Sequence, residues 1–396
     1  MKKQIVITQI PMRVGVVQRL KKTTFIRLLA VIYHEMRFYL TFKKFNHGNE
    51  FNGYICKLPF EYAELTSTGE VGVCCYLPKN IGNIDRAPFK KVWNSFFSRQ
   101  LRKSMLDGSF CYCDKTKCRS MQNFDSNLIK KEEVQDQRLK EIISKEGMNL
   151  DADLKTLSLA NDYSCNLECP SCRVGMRKMA KEEVSHQIQN FNSIIETVGP
   201  KLELIHIAGD GDPFASQFYD YVIRQTKWED YPNLKIGFQT NGVALTEKKW
   251  NSLPSEVKNK VIYIGISIDG ASTDTYEKLR LGGKFERLIS NIEYLARMPD
   301  KQKLGICLNL NMIVQAQNYR EIIPLIVLGK KLGVDKVSFT YIRDWGTFPS
   351  GEYERQAIQM PIHPEHSNLL EILKDPILRD PAVDMGNLVH LMPENL

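Results

Sequence analysis

The sequence predicts an α/β protein: a partial, TIM-like (β/α)6 barrel preceded by a smaller, cysteine-rich α+β domain. Three observations carry this expectation. From residue 154 onward, short apolar runs alternate with amphipathic helical stretches six times, the pattern of a parallel sheet with helices outside. Two of those runs alternate apolar and polar residues with period two. The stretch before residue 126 is turn-rich and holds six of the ten cysteines.

The six expected strands are Leu154–Ala160, Leu202–Ala208, Lys235–Thr240, Val261–Ile268, Gly305–Val314 and Lys336–Ile342, with helices near 181–197, 215–227, 246–253, 285–297 and 318–332. Six units are two short of the closed eight-fold barrel, so the sheet is expected to stay open on one side. In the fourth strand Ile262, Ile264, Ile266 and Ile268 share one face, under the helices, while Tyr263, Gly265, Ser267 and Asp269 share the other. The fifth repeats the scheme, with Ile306, Leu308, Leu310 and Met312 against Cys307, Asn309 and Asn311. Closed barrels fill their lumen with branched apolar side chains. A polar inner face instead predicts a cavity that receives polar ligands.

Ahead of the barrel, residues 46–125 form the cysteine-rich domain, with Ser67-Thr68-Gly69-Glu70 as a hairpin turn and one helix running from Phe89 through Met105 to a stop near Gly108. Residues 126–153 are charged and read as a helical linker, residues 154–345 as the barrel, and residues 346–396 as a C-terminal extension. Of the 396 residues, 43% are hydrophobic, enough for a sizeable core. The net charge of +8 is a property of the head: residues 1–45 hold ten basic residues against the single acid Glu35. The body is therefore not expected to bind nucleic acid. Within the head, Phe25 to Phe42 reads as a basic amphipathic helix for a membrane surface, a protein partner or the domain itself. The first residues lack a compact apolar core and a small-residue cleavage site, so a cytoplasmic setting is expected, in which clustered thiols bind metal.

The chemistry centres on Cys165-Asn-Leu-Glu-Cys169-Pro-Ser-Cys172. Three thiolates leave a four-coordinate centre one ligand short. In an iron-sulfur cluster that leaves one iron open to an outside ligand. Structural zinc wants four protein ligands, and no further Cys or His lies close by in the sequence.

This CxxxCxxC spacing resembles the signature of the radical SAM superfamily. There three cysteines bind a [4Fe–4S] cluster and S-adenosylmethionine chelates the fourth iron. Further similarities follow in order. Gly211-Asp212-Pro213 resembles the segment that receives the methionine amino group, with Asp in place of the usual Glu. Gln239-Thr240-Asn241-Gly242 and Ser267-Ile268-Asp269-Gly270 resemble the strand ends that contact ribose and methionine. Arg280 falls in an Arg-bearing segment suited to a carboxylate. Ser171 stands where the family commonly has an aromatic or hydrophobic adenine contact, so adenine contacts are expected partly from elsewhere.

Cys56-x12-Gly69-x4-Cys74 similarly resembles the opening of the SPASM domain, an auxiliary iron-sulfur module, here placed before the barrel. Six cysteines suffice for one cluster: Cys56, Cys74, Cys113 and Cys118 are the expected ligands, with Cys75 and Cys111 as substitutes. Four thiolates also make a good structural zinc site, so zinc stays open there. Cys307 and Asp344 are candidate catalytic residues on the substrate side, Cys307 as a hydrogen-atom donor or acid.

The resemblance implies a radical SAM enzyme with a 5′-deoxyadenosyl radical, a reductant such as flavodoxin or ferredoxin, and an oxidative outcome through the auxiliary cluster. Its substrate is a hydroxylated small molecule such as a sugar, or a peptide or protein side chain. The competing reading is a non-enzymatic, metal-binding interaction module.

Overall fold

The computed structural model describes Tyr33 and residues 45–393, except 78, 152–153, 174, 208 and 345. The basic head and its expected helix thus lie almost wholly outside the described residues. Twelve strands are present among the described residues. In the cysteine-rich domain these are β1 (Tyr54–Cys56), β2 (Tyr62–Thr66), β3 (Glu70–Gly72), β4 (Gly82–Asn83) and β5 (Leu128–Lys130). The barrel strands are β6 (Thr156–Ala160), β7 (Leu204–Ile207), β8 (Lys235–Thr240), β9 (Val261–Ser267), β10 (Cys307–Val314) and β11 (Lys336–Tyr341), and β12 (Val383–Asp384) follows near the C-terminal end.

The six expected barrel strands are all found, side by side in chain order and all parallel, in the partial-barrel α/β fold. Helices Lys181–Val198, Gln217–Gln225, Phe285–Arg297 and Ile322–Leu332 lie between them in the chain. Ile264, Ile266, Ile268, Leu308, Leu310 and Met312 are fully buried, as the period-two pattern requires. Ile262 differs: as the second residue of β9 it lies at the rim and is 38% exposed. On the other face, Asn309 donates to Tyr263 Oη at 3.0 Å, and Gln239 Nε2 donates to Ser267 Oγ at 2.9 Å. The lumen is polar, as the sequence predicts.

The sheet is larger than six strands. Its order is β12-β11-β10-β9-β8-β7-β6-β2-β3-β4. Strand β2, from the cysteine-rich domain, pairs in parallel with the first barrel strand, with Glu64 opposite Ser158. At the other edge β12 pairs in parallel with β11, so the C-terminal stretch extends the barrel sheet. The Ser67–Glu70 turn forms as expected, with Gly69 at φ +74 between β2 and the antiparallel β3. The cysteine-rich domain also meets the β12 end of the arc through side chains of its helix Arg119–Asn123: Arg119 lies 2.8 Å from Asp384, and Asn123 Nδ2 donates to Gly386 O at 3.2 Å.

Two segments differ from expectation. The helix expected over 89–105 is broken into Phe89–Trp93 and Phe96–Leu106. Asn94 is diverted to bond both backbone groups of Leu150, and Ser95 Oγ caps the second helix by accepting from Ser98 N. The linker is helical only over Gln137–Ser144. Before that, Leu128–Lys130 pairs antiparallel with β1, because the backbone of that short strand would otherwise lack partners. Asp136 caps the linker helix and also holds Lys155 at 2.9 Å, fixing it to the start of β6.

Candidate active site

The three-cysteine loop leaves the carboxyl end of β6, where barrel sites are built. Asp162 shapes the exit: its Oδ1 accepts from Ser164 N at 2.5 Å and its Oδ2 from Ser216 Oγ at 2.6 Å. The loop then turns through Cys169 O, which accepts from the backbone N–H groups of Cys172 and Arg173. Cys165, Leu167 and Cys169 pack with Val243, so the loop rests on the chain leaving β8.

Each of the three sulfurs meets its own donor. Asn241 Nδ2 lies 3.6 Å from Cys165 Sγ, Arg280 Nη1 3.7 Å from Cys169 Sγ, and Arg173 Nη2 3.3 Å from Cys172 Sγ. Burial pushes the Cys165 and Cys169 thiols up; Arg173 opposes this at Cys165 and Arg280 at Cys169. Metal ligation needs thiolates. Three thiols on one loop, each beside a hydrogen-bond donor and two of them beside arginines, fit a cluster of that charge.

The cleft over this loop has a volume of about 850 Å³. Gly211, Asp212, Thr240, Asn241, Ser267, Asp269 and Arg280 all line it, as does Ser171, whereas Pro213 is buried behind it. Gly211 is required: a Cβ there would lie 2.5 Å from the carbonyl oxygens of Asp162 and Ser164. Asp212 is 1% exposed and heavily engaged. Its Oδ2 accepts from Thr240 Oγ1 at 2.7 Å and Asn241 N at 2.8 Å, and its Oδ1 accepts from Phe214 N at 3.0 Å. Burial pushes its carboxyl up in spite of these bonds. Arg280 pairs with Asp269 at 2.8 Å, and its buried Nε has no hydrogen-bond partner. An orphaned guanidinium donor at the rim of the cluster loop fits a carboxylate-bearing ligand.

Cys56, Cys113 and Cys118 are within electrostatic reach of one another, and Cys74 is within reach of Cys56. Burial pushes Cys56 up to about 12, with Cys118 adding to it, and burial raises Cys113, with Cys56 and Cys118 adding to that. Cys74 is raised by its hydrogen bond with Cys75 and by burial, with Cys56 a smaller cause. Of these four, Cys74 reaches the cleft. Cys111 is buried in the core. Cys75 also lies within electrostatic reach of Cys118 and lines the cleft, where its hydrogen bond with Cys74 and the charge of Arg343 hold its thiol down at about 6.

Two sequence-predicted residues are not brought to the site. Cys307 is the first residue of β10, whereas Ile313 of the same strand lines the cleft. Six residues of strand put them roughly 20 Å apart. The period-two pattern places Cys307 on the inner face correctly but says nothing of depth. Asp344 is exposed and accepts from Gly346 N at 2.7 Å, a turn contact outside the cleft lining. Its neighbour Arg343 is the cleft residue. Sequence reasoning also passed over Glu64. Its signal was the polar face of β2, with Tyr62, Glu64 and Thr66 against Ala63 and Leu65.

Comparison with known proteins matches residues 163–328 to the radical SAM superfamily and residues 56–118 to the SPASM iron-sulfur cluster-binding domain. The AdoMet-dependent heme synthase of Methanosarcina barkeri is 27% identical over 172 residues, 43% of this chain and 45% of that protein. Mycofactocin maturase MftC of Mycolicibacterium smegmatis is 24% identical over 202 residues, 49% of this chain and 48% of that protein. The chain thus spans about half the length of the curated relatives it matches. The crystal structure of Streptococcus suis SuiB bound to S-adenosylmethionine is 16% identical, with a TM-score of 0.41, over 74% of this chain and 61% of that one. No helix among the described residues is long and apolar enough to cross a membrane. The matched domains imply a [4Fe–4S] cluster with S-adenosylmethionine and an auxiliary iron-sulfur centre: the chain carries a radical SAM domain with a SPASM domain ahead of it.

Proposed function

We propose that this chain is an enzyme that removes a hydrogen atom from a hydroxylated small molecule such as a sugar, with an oxidative outcome. The observation that carries the reading is that Cys165, Cys169 and Cys172 of the barrel and Cys74 of the cysteine-rich domain line one cleft. When bound there, the cluster and S-adenosylmethionine supply a 5′-deoxyadenosyl radical, and the auxiliary centre supplies a nearby electron acceptor.

The chain's own residues bind and orient. Cys165, Cys169 and Cys172 hold the cluster, and Cys56, Cys74, Cys113 and Cys118 the auxiliary centre. Arg280 offers its free Nε to the methionine carboxylate. Asp212 acts chiefly as a strut that fixes the Thr240–Asn241 strand end, leaving the Gly211 backbone to face the amino group. Asn241 and Ser267 line the cleft toward the ribose, and Ile313 and Ile342 offer the apolar adenine contacts that Ser171 lacks. The exposed Cys172 side gives a reductant such as flavodoxin or ferredoxin its approach, and clustered cysteines that hold iron-sulfur centres suit a reducing, cytoplasmic compartment.

A second reading, modification of a peptide or protein side chain, is favoured by the likeness to a protein named as a maturase. The test is anaerobic turnover with C-deuterated sugars and, separately, deuterated peptides. Deuterium entering 5′-deoxyadenosine from one class identifies it; transfer from peptides alone rejects the sugar reading.

A further inference from the structure

The cleft has a wall that the cofactor-binding residues do not explain. It is built from β2, toward one end of the arc, and the chain leaving β11, toward the other. Glu64 sits centrally on β2. Its cross-strand neighbours are Gly72 on one side and Ser158 on the other. Directly opposed residues share a face of the sheet, and here one neighbour has no side chain and the other a small one. The Glu64 carboxyl lines the cleft, steadied by Tyr62 Oη, which donates to Oε2 at 3.1 Å, and by a hydrogen bond with Ser158. Among the described residues no cation lies within ion-pair distance of it, and burial pushes its carboxyl up.

Arg343 faces the same space from the other end. Its guanidinium stacks on the Tyr76 ring at 4.3 Å, Nη2 donates to Tyr76 Oη at 2.5 Å, and Nη1 lies 3.9 Å from Cys75 Sγ. The stack fixes the plane of the fork. No carboxylate among the described residues lies within ion-pair distance of it, although the group is half-buried. A half-buried, oriented guanidinium with no carboxylate partner, its neighbour the Cys75 sulfur at 3.9 Å, has fork donors left for a planar or tetrahedral anion.

We propose that Arg343 and Glu64 form the substrate's polar subsite, Arg343 holding an anionic group, carboxylate or phosphate, and Glu64 a hydroxyl. The substrate is then an anionic polyol. This rests on the reading of the cleft as a substrate chamber, and it explains why a hairpin of the cysteine-rich domain is built into the barrel sheet: the domain supplies part of substrate recognition.

The test is calorimetric binding to the anaerobically reconstituted full chain, saturated with S-adenosylmethionine so that Arg280 is already engaged, without reductant. The probes are inorganic phosphate, glycerol 3-phosphate, glycerate and glycerol. Phosphate or glycerate binding above glycerol is expected, the two anions distinguishing phosphate from carboxylate preference. Arg343→Gln should weaken anion binding by at least ~10-fold, and Arg343→Lys by less. Glu64→Ala should erase the advantage of glycerol 3-phosphate over inorganic phosphate while leaving phosphate binding unchanged. Wild-type chain that binds neither anion, or Arg343→Gln that binds both as wild type does, overturns the subsite. Should Arg343→Gln fail to fold, the Arg343→Lys and Glu64→Ala results decide. No turnover is involved, so a chain that makes no 5′-deoxyadenosine would sink the enzymatic reading and leave the binding result to stand by itself.

Discussion

Arg280 lies 2.8 Å from Asp269 and 3.7 Å from the sulfur of Cys169, so one buried guanidinium ties the end of β9 to the cluster loop. Asp269 holds a left-handed backbone at φ +55 and accepts from Ile313 N at 2.7 Å, which anchors the next strand as well. Removing one partner of such a buried pair leaves the other charge uncompensated. Arg280→Ala is therefore expected to cost about 3–5 kcal/mol in anaerobic urea unfolding. Arg280→Ala with Asp269→Ala should cost clearly less than the sum of the two single changes. Additive losses would show that the pair is not coupled.

The Gly211 contact predicts a local defect. Gly211→Ala places a methyl 2.5 Å from two backbone oxygens on the Asp162–Ser164 segment that leads into Cys165. Far-ultraviolet circular dichroism should stay native while the iron held by the barrel loop falls. Retention of full iron would mean that the segment yields without moving the cysteines.

The cysteine assignment is checked by metal counts. Cys113→Ser or Cys118→Ser should lower iron and sulfide after reconstitution by about four per chain. Cys75→Ser should leave both unchanged, because its sulfur faces Arg343 and the cleft. Iron loss in Cys75→Ser equal to that in Cys113→Ser would move Cys75 into the ligand set.

Cys307 offers a control. At the far end of β10 it lies remote from the chemistry, so Cys307→Ala should leave the rate of 5′-deoxyadenosine formation within about twofold, where loss of a catalytic group costs at least 10²-fold. A hundredfold loss would return it to the site.

Much of this architecture was legible in the chain. The isoleucines at 264, 266 and 268 announce a buried period-two face, and the six barrel strands appear within two residues of where that pattern places them. The cluster loop is legible because its three ligands are adjacent in sequence. Less legible was what depends on long-range pairing. The five residues of β2 alternate like any half-buried strand, and nothing local says that their partner is β6, ninety residues on. Depth within the lumen was also hidden, so Cys307 was read as near the substrate, Glu64, which does line the cleft, was not singled out, and Arg343 after strand six was given no role. The break at Asn94 was invisible because its cause, Leu150, lies more than fifty residues away.

The central claim is that the Cys165, Cys169 and Cys172 loop supports reductive cleavage of S-adenosylmethionine. The direct measurement is 5′-deoxyadenosine, quantified by liquid chromatography after anaerobic reconstitution with iron and sulfide and addition of dithionite and S-adenosylmethionine. The account predicts product from the wild-type chain, about eight irons per chain, and no product when any of the three cysteines is replaced by alanine. Zinc in place of iron with no 5′-deoxyadenosine, or product undiminished by those replacements, would contradict it.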